Sequence, residues 1–110
     1  MKGDRNNFSG DLEMTAPTGG VVRGKAYEIN GTTVVARSTA AAGDTFLAAL
    51  KGPIEGEKST GTGTGLEVGE KVGVSGNVFV VVATGVDAVG TVIRDADSAD
   101  DVVLVDLGLI

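Results

Sequence analysis

At 110 residues the chain is one domain, and nine basic against fifteen acidic residues give a net charge of −6, the wrong sign for a phosphate backbone, so nucleic acid is not an expected partner. The absence of His and Cys removes the usual base at neutral pH, disulfides and the commonest metal ligands, and most catalytic and cofactor chemistry goes with them. No segment approaches the run of about 18–20 apolar residues that a membrane helix needs, and the start MKGDRNNFSG has no apolar core for a signal peptide, so neither a membrane nor export is expected.

Three Phe, one Tyr and no Trp leave burial to Val, Ala and Leu, each contributing about 1.5–3 kcal/mol when fully covered. Eighteen Gly raise the entropy of the unfolded chain. A lean, Gly-rich chain of this size is expected to draw stability from other copies or from docking on a larger body.

Residues 1–10 are polar and unpatterned, a basic-tinged arm with Lys2, Arg5 and the single large apolar side chain Phe8. They read as a frayed end, or as an arm laid on a neighbouring subunit with Phe8 as anchor. The body follows over residues 11–110. Asp11 to Ala16 alternates, with Leu12 and Met14 on one face, and Pro17-Thr18-Gly19-Gly20 ends it. Gly24 to Ile29 alternates again, and Asn30-Gly31 signals a type I′ hairpin into Thr32 to Ala36. Ala40-Ala41-Ala42 is too short to nucleate a helix before Gly43-Asp44, so it leads into a strand from Thr45 to Leu50. After Lys51-Gly52-Pro53, the stretch Ile54 to Lys58 is an edge strand or irregular, because Pro53 cannot donate to a ladder. Ser59 to Gly65 is a mobile loop by composition; a phosphate loop would carry Lys-Ser or Lys-Thr where Leu66-Glu67 stands.

The most strongly specified stretch is Leu66 to Ala83. Lys71 to Ser75 alternates, Ser75-Gly76-Asn77 breaks the pattern, and Val78 to Ala83 is apolar throughout. A strand without alternation is expected to be covered on both faces, as the central strand of a barrel or as a seam between copies. Val89 to Arg94 is a further strand. Asp95 to Asp101 carries four carboxylates in seven residues and reads as a solvated turn; an EF-hand loop would want Gly at Asp100 and Glu at Asp106. Val102 to Ile110 is the last strand, and a chain finishing on Leu109-Ile110 is expected to dock that end. Ser and Thr have no His to activate them, and no stretch suggests the buried Lys that a Ser-Lys pair would need. The acids fall in turns and on polar strand faces, with none embedded in an apolar run apart from Asp106, so an enzyme is not expected. The fold class is therefore all-β: a small antiparallel β-barrel or sandwich of about nine short strands with an extended N-terminal arm.

The order of these features resembles the capsid cement, or head decoration, proteins of tailed bacteriophages. The resemblance is carried by T-A-P-x-G-G-V-x-x-G at Thr15 to Gly24, T-A-A-A-G-D at Thr39 to Asp44, a strand ending near Gly52 to Glu55, V-G-E-x-V at Val68 to Val72, and G-x-V at Gly90 to Val92. Family members often carry an aromatic near the V-G-D-x-V turn, where this chain has Leu66 and Val74. The resemblance implies a non-enzymatic virion protein without cofactors, made in the host cytoplasm and added to the outer surface of an expanded capsid. Its implied partners are the major capsid protein and itself, as a homotrimer. Candidate capsid contacts are Lys2, Arg5, Asn6, Asn7 and Phe8; candidate oligomer contacts are Val21, Val22, Pro53, Ile54, Leu109 and Ile110. The alternative is a small β-barrel binding module for a peptide or glycan.

Overall fold

A computed structural model describes residues 11–108. Nine strands, β1 (Asp11–Thr15), β2 (Ala26–Ile29), β3 (Thr32–Ala36), β4 (Thr45–Ala49), β5 (Gly52–Glu57), β6 (Lys71–Ser75), β7 (Val78–Val81), β8 (Gly90–Val92) and β9 (Val102–Leu107), form two antiparallel sheets. The first has the order β1-β4-β3-β2 and the second β5-β9-β8-β6-β7. The two tight hairpins follow from local chemistry. Asn30 and Gly31 at φ 52° and 80° join β2 to β3, and Gly76 and Asn77 at φ 63° and 68° join β6 to β7. Two successive positive φ values define the type I′ turn, whose twist matches that of the flanking strands.

Each sheet has its own core. In the first, Val34, Ala36, Phe46 and Ala48 point to one face, where the turn residues Ala16 and Val21 cover them. Small side chains dominate, so Phe46 is the main apolar mass there. The opposite face of the same sheet turns Ala26, Val35 and Ala49 towards the second sheet, where they join Ile54, Leu66, Val72, Phe79, Val92, Val103, Val105 and Leu107. The molecule is thus a sandwich of unequal layers. The second sheet curls until its outer strands meet at one parallel bridge, Lys58 to Phe79, supported by Ser59 N–H donating to the Phe79 carbonyl at 3.1 Å. It stops short of a closed barrel. Gly56 permits the approach, because a Cβ there would lie 2.5 Å from Cε2 of the Phe79 ring.

The strand order bears out the edge position expected of the Pro53 segment and corrects the reading of Val78 to Ala83. β7 is an outer strand of its sheet, not the central one. Phe79 is fully buried, but Val81 and Val82 are each 37% exposed. The tight hairpin fixes β7 on one side of β6, and β8 occupies the other side. β7 is therefore left with the Phe79 bridge to β5 as its second neighbour. The apolar run reports an unshielded edge rather than two-sided burial.

Candidate functional site

Lys58 is the one buried charged residue among those described, 3% exposed, and it overturns the expectation that no lysine is buried. Parity explains its burial. Ile54, Gly56 and Lys58 alternate inward along β5 and its extension, as the buried positions of that stretch show. Its ammonium donates to the Ser59 carbonyl at 2.7 Å, the Asp100 carbonyl at 3.0 Å and Thr64 Oγ1 at 3.4 Å. Its three protons thus have three neutral acceptors. Its backbone N–H donates to the Asp101 carbonyl at 2.8 Å. The Thr64 hydroxyl lies 2.6 Å from the Gly61 carbonyl and 3.2 Å from that of Ser98, and Gly61 N–H donates to Ser98 at 3.0 Å. The segment expected to be a mobile Thr-Gly loop is instead tied to the acidic turn, with Lys58 as the clamp. No Ser-Lys pair results, because the ammonium meets the Ser59 carbonyl and all three of its protons are taken.

The acidic turn itself presents its carboxylates outward. Asp95 Oδ1 accepts from Val68 N–H at 2.8 Å and Asp100 Oδ2 from Asp97 N–H at 2.9 Å, which is turn capping. Among the described residues no group of three or more acidic side chains could hold a metal ion, and none of the carboxylates is buried. Asp106, the one acid set in an apolar run, is exposed on β9.

A cleft of about 570 Å³ opens between the sheets, floored by Val35 and Ile54 and walled by Arg23, Arg37, Leu47 and Val102. No aromatic side chain lines it, which removes the stacking surface a glycan site would use. At its rim Arg37 Nε donates to Asp11 Oδ1 at 3.1 Å. Nearby, Lys25 Nζ donates to Glu57 Oε1 at 2.8 Å. That hydrogen bond and the Glu57 charge raise the Lys25 pKa above the ordinary lysine value, against a smaller opposing effect of desolvation.

The residues singled out from sequence separate into three groups. Lys2, Arg5, Asn6, Asn7, Phe8, Leu109 and Ile110 lie outside the described residues. Val21 and Ile54 are buried, at 2% and 4% exposure, in the chain's own cores. Val22, 47% exposed, and Pro53 remain on the surface. Val22 faces out because its neighbour Val21 faces in, a separation that the doublet Val21-Val22 alone did not reveal.

Fold and surface together define a small β-sandwich whose described carboxylates are solvated and whose buried lysine is committed to holding loops. A family model of phage cement proteins matches residues 8–107, nearly the whole chain, and the chain belongs to that family. The family is structural, and its name makes the protein a component of the phage capsid. No curated protein and no solved structure matches the chain.

Proposed function

We propose that the protein decorates the outer surface of an expanded phage head as a homotrimer and stabilises the shell by bridging neighbouring major capsid protein subunits. The observation that carries this reading is the match to phage cement proteins over residues 8–107. The physical character of the chain supports it. A net charge of −6 suits a protein that need not touch packaged DNA, and a first-sheet core in which Ala16, Ala36 and Ala48 supply half of the six buried residues gains from association. Binding only the assembled shell stabilises it by mass action, about 2.7 kcal/mol per site at a free concentration 100 times Kd. The arm carries the shell contact through Lys2, Arg5, Asn6, Asn7 and Phe8, while Val22, Pro53, Leu109 and Ile110 serve contacts between copies.

The test is to mix the purified protein with undecorated expanded heads and sediment them. Co-sedimentation at micromolar concentration is expected, and its absence would sink the proposal. Deleting residues 1–6 is expected to leave the far-UV circular dichroism unchanged and to weaken head binding. Unchanged affinity would remove the arm from the contact.

A further inference from the structure

We propose that the turn Glu67 to Glu70 of one copy seats Val68 in the inter-sheet cleft of the next copy, with Glu67 paired to Arg23 across the contact. This contact rests on the homotrimer reading above and gives it two definite surfaces.

Val68 is the most exposed large apolar side chain among the described residues, at 61%. Local chemistry puts it there. Glu70 N–H donates to the Glu67 carbonyl at 3.0 Å and closes a four-residue turn, and Gly69 at φ 94° supplies the left-handed third position. Val68 therefore stands at the tip. Its N–H donates to Asp95 Oδ1 at 2.8 Å, and Gly69 N–H donates to the Val92 carbonyl at 2.8 Å, so the tip is anchored on two sides. Glu70 Oε1 accepts from Glu67 N–H at 2.7 Å, whereas the exposed Glu67 carboxylate has no partner among the described residues. An apolar side chain carried on a turn this well fixed loses little freedom on binding.

The cleft has the complementary character. Val35 and Ile54 floor it, and Leu47, 40% exposed, makes its rim apolar. Arg37 is held by Asp11 at 3.1 Å and Glu57 by Lys25 at 2.8 Å. Glu55 alternates with the buried Ile54 and Gly56, so its side chain points to the outer face of β5. Arg23 is the charge that remains: it is exposed, it lines the cleft, and its guanidinium has no partner among the described residues. An apolar knob beside one free carboxylate thus matches an apolar hollow beside one free guanidinium, a group suited to gripping a carboxylate. Val22 and Pro53, the surface candidates for contacts between copies, border the cleft as the residues before Arg23 and Ile54. Val81, opposite Val72 in the β6–β7 register, lies at the same end of the second sheet as the knob.

Knob and cleft cannot meet within one chain. Gly69 is bonded to β8, and β9 separates β8 from β5, where the cleft opens. A contact between two different surfaces is heterologous, and its repetition closes into a ring when the rotation allows. In a ring of three every knob and every cleft is filled, which ends growth.

The chain has no cysteine, so single introduced cysteines report the contact. Val68→Cys and Leu47→Cys chains are mixed in equal amounts and treated with a short bismaleimide, and cross-links joining the two kinds of chain are expected. In sedimentation velocity the wild type is expected at the mass of three chains, and Val68→Asp and Arg23→Glu at the mass of one, with unchanged far-UV circular dichroism. Adding Glu67→Arg to Arg23→Glu is expected to restore the trimer, a rescue that nonspecific surface repulsion would not give. A trimeric wild type whose mass survives both Val68→Asp and Arg23→Glu overturns the contact and leaves the homotrimer in place. Cross-links confined to like chains, or none, do the same. A monomeric wild type overturns contact and homotrimer together, while co-sedimentation with heads reads the capsid role separately.

Discussion

The meeting of β5 and β7 gives the sharpest quantitative test of the fold. Phe79 is fully buried although it sits on an outer strand, and Phe79→Ala is expected to cost about 3–5 kcal/mol of a total stability of about 5–15 kcal/mol. Gly56→Ala alone would place a Cβ 2.5 Å from Cε2 and 3.1 Å from Cδ2 of that ring. The ring must shift within a packed core, at about 1–3 kcal/mol. In the Phe79→Ala background the obstacle is gone, and the nearest other atom, the Gly24 carbonyl oxygen, is at an ordinary 3.5 Å. There Gly56→Ala should stabilise by about 0.5–1 kcal/mol, since Gly56 is not at a positive φ and alanine loses less entropy in a strand. The substitution thus changes sign, and the coupling is about 1.5–4 kcal/mol. Urea denaturation of the four proteins, followed by circular dichroism, resolves it, because additive pairs agree within about 0.3–0.5 kcal/mol and the midpoint shifts are of order 1 M. Phe79→Leu offers the same comparison at smaller cost. Additivity of the two substitutions would falsify the claim that Gly56 exists to let β7 close on β5.

Lys58→Met is expected to free the loop from the acidic turn, so that the amides of Gly61 and Leu66 exchange about 30-fold faster, equivalent to about 2 kcal/mol of local opening, while those of β8 and β9 keep their protection; uniform acceleration would mean that Lys58 supports the whole fold. The Lys25 to Glu57 bond predicts a pH effect whose sign follows from a folded-state pKa raised above the unfolded value. Its contribution is complete below about pH 10.4 and is lost as pH rises through the folded-state value, so wild type should lose stability in that alkaline range and Glu57→Gln should lack the step. Val82→Lys places a charge on an exposed valine and should change monomer stability by no more than about 0.5 kcal/mol. If the β7 end forms the contact between copies, light scattering will show a smaller assembly for that variant, and an unchanged mass excludes the surface.

What could be read from the sequence is what nearest neighbours decide. The Asn30-Gly31 hairpin and the edge character of the Pro53 strand rest on backbone rules that hold wherever the residues fall, and both are present. The place of β7 in its sheet is of another kind. It depends on β8, which begins nine residues after β7 ends, taking the far side of β6, and no pattern within Val78 to Ala83 encodes that. Lys58 lies between these cases. Flanked by Glu57 and Ser59 it looks like a solvated position, but the inward parity of Ile54 and Gly56 continues onto it. Reading parity one residue beyond the apolar run was the available signal. Among the site candidates, Val21 and Ile54 are apolar, a trait that marks core and contact alike; their burial in the folded chain separates them from the surface residues Val22 and Pro53.

The distribution of open edges narrows how copies of this protein can meet. In the second sheet, curling brings β5 against β7, so the two outer strands partly satisfy one another through the Lys58 to Phe79 bridge and the Ser59 to Phe79 hydrogen bond. In the first sheet the outer strands are β1 and β2, and β2 is tied at Ala26 to Asn77 of the β6–β7 turn, whose carbonyl accepts from Ala26 N–H at 3.0 Å and whose Nδ2 donates to the Ala26 carbonyl at 2.9 Å. Both carry an exposed glutamate, Glu13 on β1 and Glu28 on β2, and a charge on an edge discourages pairing with another strand. Val81 and Val82 have no charged residue beside them until Asp87. Strand addition is therefore disfavoured at the open edges, while side-chain packing remains available at the end of β7. An association built this way would join rigid bodies through small apolar patches such as Val81 and Val82.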